Sequence, residues 1–127
     1  AVNFRYNLRR KGMVKDTIHT TELDTAYARG VKLLQKRKYA KALYILNDYN
    51  DRNTVVAHLS LDHNERALEL LASMPKDAVV EYLKAIACSR LGRKAEGRRH
   101  FLEACRLDPR MEYRGNLDPE IAELLKE

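Results

Sequence analysis

Apolar residues recur three and four apart in a succession of short blocks, and each block closes on a proline, a glycine or a polar pair. That rhythm constrains this chain more than any other feature. Leu23, Tyr27, Gly30, Val31 and Leu34 fall on one side of a helix, as do Ala42, Leu43, Ile45 and Leu46, and again Ala67, Leu68, Leu70 and Leu71. The spacing predicts seven short helices. The first runs from about Thr20 behind a capping pair, Thr21 and Asp24, and the second from about Tyr39 to Asp48. Asn53 is expected to cap a third helix through Leu61, and Asn64 a fourth that ends at Met74-Pro75, because the residue before proline leaves helical geometry. Asp77 caps a fifth helix reaching Leu91, where Gly92 supplies a left-handed stop, and the sixth spans roughly Lys94 to Leu107. After a loop at Tyr113-Arg114-Gly115-Asn116, the run Asp118-Pro119-Glu120 opens a seventh helix with Ile121, Leu124 and Leu125 on its apolar face.

Helices this short, joined by a few residues each, read as antiparallel hairpins that bury their apolar faces only by stacking on neighbours. The expected class is all-α: about three degenerate hairpin repeats and a C-terminal capping helix. Residues 1–20 follow a different rule. Val2, Phe4, Tyr6 and Leu8 alternate with polar residues, Arg10-Lys11-Gly12 makes a turn, and Met13–Ile18 is a second extended stretch. The domain reading is an extended arm or linker over 1–20 and a helical repeat domain over 21–127. The chain starts at Ala1 without a basic head and apolar core, which reads as a piece of a longer protein.

Composition narrows the functional classes. With 45% hydrophobic and 33% charged residues the chain is too apolar for a disordered segment, and no run approaches the roughly 18 apolar residues of a membrane span. The net charge of +6 is uneven. Residues 1–45 carry eleven Lys/Arg against three Asp/Glu, residues 46–87 four against seven, residues 88–114 eight against four, and residues 115–127 one against four. Alternation of sign by block suits pairing between helices within the chain better than one basic face for a polyanion.

One stretch carries a family likeness. The segment from Tyr82 to Gly92 with Ala85, continuing through Gly97, Phe101, Ala104 and Pro109, resembles a tetratricopeptide repeat, and Gly30, Tyr39, Ala42 and Leu46 repeat the pattern, with Ala67 and Leu71 matching its second half. The small residues Ala42, Ala67 and Gly97 stand 25 and 30 apart rather than at one regular interval, so the repeats are degenerate. The resemblance implies that Ala85 and Gly97 let paired helices approach and that first helices line a concave groove. The stretches at 47–54 and 114–121 are similar to helical-repeat tails of large Bacteroidetes cell-envelope proteins, which implies a periplasmic or cell-envelope location, with the cytoplasm as the alternative.

Catalytic and metal constellations are not expected. His19, His58, His63 and His100 are scattered; His58 and His63 stand five apart and miss the i, i+4 facing of a metal-binding helix, which leaves them as surface or helix-end residues. The five glycines are isolated, so no phosphate-cradling loop exists. Cys88 and Cys105 fall on the two helices of one hairpin, where core packing is expected over a redox pair. No cofactor is anticipated. Tyr27 and Tyr82 hold corresponding places on first helices and admit two roles equally: core residues with satisfied hydroxyls, or groove residues.

The functional expectation is a non-enzymatic protein-interaction or scaffolding module within a larger protein. Its groove would be lined by Asp24, Tyr27, Val31 and Leu34 from the first helix and Val79, Tyr82, Ile86 and Arg90 from the fifth, and its partner would be a protein, a peptide or a neighbouring domain. The alternative is a basic helical adaptor for nucleic acid or an anionic surface, using Arg9-Arg10-Lys11, Lys36-Arg37-Lys38 and Arg93-Lys94 with Arg98-Arg99, although no recognition helix or stacking motif accompanies those clusters.

Overall fold

The structure is a computed structural model that describes residues 19–126, with side chains from residue 25 onward. Among these residues all regular structure is helical: α1 (His19–Gln35), α2 (Tyr39–Leu46), α3 (Arg52–Ser60), α4 (Asn64–Ala72), α5 (Ala78–Arg90), α6 (Lys94–Leu107), α7 (Arg110–Asn116) and α8 (Pro119–Leu125). The extended arm expected over 1–20 lies outside the described residues, except that His19 and Thr20 begin α1. Thr21 and Asp24 sit inside α1 and so do not open it. None of the described helices is long and apolar enough to cross a membrane.

The chain divides into two compact units, 1–62 and 63–127. In the first, Tyr27, Val31 and Leu34 of α1, Ala42 and Leu46 of α2, and Val56 and Ala57 of α3 form one buried cluster, with Leu33, Tyr39, Leu43 and Tyr49 packed on it. Gly30 is what lets α1 and α2 close up. A Cβ there would stand 2.7 Å from Leu46 Cδ2 and 2.9 Å from its Cγ. Arg37 ends α1 at φ 62°, with Lys38 N–H donating to the Leu33 carbonyl at 2.9 Å, and Asn50 and Asp62 take the same left-handed turn after α2 and α3.

α3 opens differently from the expectation. Its cap is Asp51, whose Oδ1 accepts the Thr54 N–H at 3.0 Å while Thr54 Oγ1 accepts the Asp51 N–H at 3.3 Å, a reciprocal capping box. Asn53 lies within the helix instead, because its amide is drawn to a buried tyrosine. His58, expected at the surface or a helix end, is buried in the last turn of α3.

In the second unit α5 is the central helix, packed by α4, α6 and α8, and buried on more than one face through Val80, Tyr82, Leu83, Ala85, Ile86, Ala87 and Cys88. Asp77 caps it, accepting the Val80 N–H at 2.8 Å, and Gly92 follows at φ 76° with Arg93 N–H bonded to the Cys88 carbonyl. His63, not Asn64, holds the cap position of α4, and it makes no side-chain cap bond. The α6 stripe is Gly97, Phe101 and Ala104, at i, i+4 and i+7. A Cβ on Gly97 would meet Leu124 Cδ2 at 2.6 Å and Cys88 Cβ at 3.3 Å, so its nearest neighbours are α8 and the Cys88 turn of α5.

The loop expected at 113–116 is helical. Pro109 holds the cap position of α7, Asp108 just before it accepts the Arg110 N–H at 3.0 Å, and the buried residues Met111 and Gly115 are four apart. Gly115 is there for space: a Cβ would lie 2.5 Å from the Phe101 ring. α8 begins as the sequence predicts, with Asp118 accepting the Glu120 N–H at 2.9 Å and Pro119 in the first turn.

Candidate functional site

Of the eight residues expected to line a groove, five are buried. Tyr27 is 2% exposed and Tyr82 1%, and Val31, Leu34 and Ile86 are fully enclosed. Side chains this enclosed are core, and a partner reaches them only by unpacking the helix that carries them. Val79 is half-buried, and Asp24 lies in α1 with its side chain outside the described residues. Arg90 is engaged within its own unit: Nε donates to Glu120 Oε1 at 2.6 Å, Nη2 to Oε2 at 3.3 Å, and Nη1 to Asn64 Oδ1 at 3.3 Å. A two-pronged guanidinium–carboxylate contact fixes orientation as well as charge, and here it ties the start of α8 to the end of α5.

Both tyrosines resolve to the core role, and both satisfy their hydroxyls in one way. Tyr27 O–H donates to Asp51 Oδ2 at 2.5 Å and accepts from Asn53 Nδ2 at 2.6 Å, while its ring leans on Tyr49 with centroids 4.9 Å apart. Tyr82 O–H donates to Asp118 Oδ2 at 2.8 Å; its ring meets Phe101 edge-on at 6.1 Å and carries the Arg114 guanidinium 5.6 Å from its centroid. Asp51 and Asp118 are the N-caps of α3 and α8, so in each unit a tyrosine within a long helix fastens the first turn of a later one. Burial raises the Tyr82 phenol well above its ordinary pKa, and the Asp118 carboxylate raises it further.

Acid–base pairs cross the second unit repeatedly. Lys76 Nζ reaches Glu103 Oε2 at 2.5 Å and Arg106 bonds the other oxygen, and these bonds, Arg106's foremost, hold the Glu103 carboxyl down at about 2. Buried Glu81 has His100 Nδ1 at 3.2 Å and Lys84 Nζ at 3.1 Å. Burial pushes its carboxyl up, but those two partners outweigh burial and the net shift is downward. The thiols of Cys88 and Cys105 are free, and burial raises both, with a further upward push from Glu96 on Cys88, so neither is set up as a nucleophile.

A cavity of about 270 Å³, lined by Glu65, Leu68, Glu69, Ala72 and Arg93, opens beside α4. It is wide-mouthed and offers two carboxylates and a guanidinium without a converging reactive group. The apolar residues that do face outward are elsewhere. Tyr113 is 74% and Leu117 75% exposed at the C-terminal end of α7, and Tyr44 of α2 is 89% exposed. Among the described residues one group of metal-ligating types converges, Cys88, Glu96 and His100. Its i, i+4 half, Glu96 and His100, stands in the sequence, but Cys88 joins it only across the α5–α6 turn. No family model, curated protein or solved structure matches the chain.

Proposed function

We propose that this chain is a non-enzymatic protein-interaction module built of degenerate tetratricopeptide-like repeats, and that its contact surface is the outer side of α7 rather than the buried rows of α1 and α5. The observation that carries the reading is the pair Tyr113 and Leu117, four residues apart and each about three-quarters exposed. Tyr113 lies in the last turn of α7 and Leu117 is the residue that caps its end, with exposed Glu112 and Asn116 beside them. Single exposed apolar residues are ordinary. An aromatic and an aliphatic residue side by side within a polar surround suit an anchor inside a rim, and the partner they fit is a protein or a neighbouring domain that presents an apolar surface. The tyrosine-to-cap contact, present once in each unit, supports the repeat reading. The nucleic-acid alternative draws on Lys36-Arg37-Lys38 and on Arg93-Lys94 with Arg98-Arg99, clusters that no recognition helix or stacking motif accompanies.

A photo-crosslinking amino acid placed at 113, at 117 or at the exposed control position Arg66, in cells that make the protein, tests this. Discrete adducts with one protein from 113 and 117, absent from 66, are expected. The same diffuse pattern at all three positions rules out this surface.

A further inference from the structure

We propose that Cys88, Glu96 and His100 form a binding site for a divalent metal ion of the zinc class, holding α5 to α6, with Glu81 orienting the histidine. One ligand atom from each of the three residues lies within 4.8 Å of the other two. Tetrahedral zinc, bonded at about 2.3 Å to sulfur and about 2.0–2.2 Å to nitrogen and oxygen, spaces its ligand atoms roughly 3.3–3.6 Å apart. About 1 Å of closure is therefore required. Cys88 is fixed in the core, but Glu96 and His100 are only half-buried and next to Gly97, so their torsions can provide it.

The donor set argues for the ion's class. A thiolate and an imidazole select zinc-like borderline ions over calcium or magnesium, which take oxygen ligands throughout. A thiolate and one carboxylate neutralise a divalent charge, and three protein ligands leave a fourth position on the partly exposed side.

Glu81 supplies the support that metal-binding histidines commonly have. It is 3% exposed, and its Oε1 faces His100 Nδ1 at 3.2 Å, which places the ring proton on Nδ1 and leaves the Nε2 lone pair for the metal. Lys84 Nζ lies 3.1 Å from the other carboxylate oxygen, Oε2. A histidine serving only as a surface residue has no need of a carboxylate withdrawn from water behind it. Glu81 is thus a positioning residue, and Cys88, Glu96 and His100 are the ligands.

Cobalt(II) titrated into the full chain, stripped of metal, is the direct probe, because thiolate ligation has its own near-ultraviolet charge-transfer band. One equivalent should develop that band together with tetrahedral visible bands, and one equivalent of Zn²⁺ should abolish both. Cys88→Ser should remove the thiolate band and Cys105→Ser should keep it. His100→Gln and Glu96→Gln should each weaken zinc binding by about tenfold or more, and Glu81→Gln, by releasing the ring, by about tenfold. Absence of the thiolate band in the wild-type chain overturns the proposal, as does a band that survives Cys88→Ser but not Cys105→Ser. Circular dichroism checks that the variants are folded. If Cys88→Ser fails to fold, half-buried His100→Gln decides, and unchanged zinc affinity in that variant refutes the site.

Discussion

The Tyr27–Asp51 contact of the first unit and the Tyr82–Asp118 contact of the second perform one task with different wiring. In the first, the hydroxyl has two partners, Asp51 and the buried amide of Asn53, and the aspartate belongs to a reciprocal capping box with Thr54, which also donates to the Leu46 carbonyl at 2.7 Å. In the second, the hydroxyl contacts Asp118, and the fastening is spread to Arg114 over the ring and to the charged Arg90–Glu120 staple two residues beyond the cap. What recurs is the mechanical task of tying a later helix's first turn to an earlier helix. The neighbouring residues do not recur.

The largest expected effect tests the close approaches on which both contacts rest. Gly30→Leu should cost more than about 3 kcal/mol, because the new side chain strikes Leu46 at its branch carbon, and Gly97→Leu about 2 kcal/mol, because it meets first the movable end of Leu124. Both losses exceed the roughly 1 kcal/mol gained by replacing glycine inside a helix. Urea melts read it, and unchanged midpoints for both variants would remove the close-packing argument from each unit.

Tyr27→Phe and Tyr82→Phe compare the contacts themselves. Tyr27→Phe gives up the bonds to Asp51 and Asn53, and Tyr82→Phe the bond to Asp118, so each should cost on the order of 1–2 kcal/mol. Unchanged urea midpoints in both variants would show that neither hydroxyl contributes to stability.

The smallest effect is in alkali. Tyr82 has a raised folded-state pKa, so the stability it contributes is complete below the ordinary tyrosine pKa of 10.0 and is lost as pH rises above it. Between pH 10 and 11 the wild-type chain should lose about 1 kcal/mol more than Tyr82→Phe. Parallel losses in the two proteins would mean that the phenol ionises as readily when folded as when unfolded.

The local signals were legible in the sequence. Asp77, Gly92, Met74-Pro75 and Asp118-Pro119 act within one helical turn, and the helices start and stop where these residues stand. Signals with two competing outcomes were not. Asn53 has the chemistry of a cap, but Asp51 with Thr54 at the matching offset takes that role, and Asn53 is engaged by Tyr27 from α1. Gly115 looks like a turn and is a space-maker under Phe101, so α7 was hidden. The burial of Tyr27, Val31 and Leu34 was hidden for a related reason. Periodicity shows that Tyr27, Val31 and Leu34 share a side, but what covers that side depends on residues far along the chain. The metal-ligand group was half readable, since Glu96 and His100 have the right spacing and their third member does not.

The insertion of α7 also bears on the order in which the chain becomes ordered during synthesis. Tyr27 and Asp51 are 24 residues apart, whereas Tyr82 and Asp118 are 36 apart because α6 and α7 both intervene. A nascent chain completes the first contact with one helix between its ends and holds the second open until two more helices have emerged. The added closure entropy is small, about 0.4 kcal/mol for lengthening the loop by half, since it grows only with the logarithm of loop length. The delay is one of sequence rather than of energy. A chain interrupted before Asp118 emerges leaves Tyr82 without its bond to the first turn of α8.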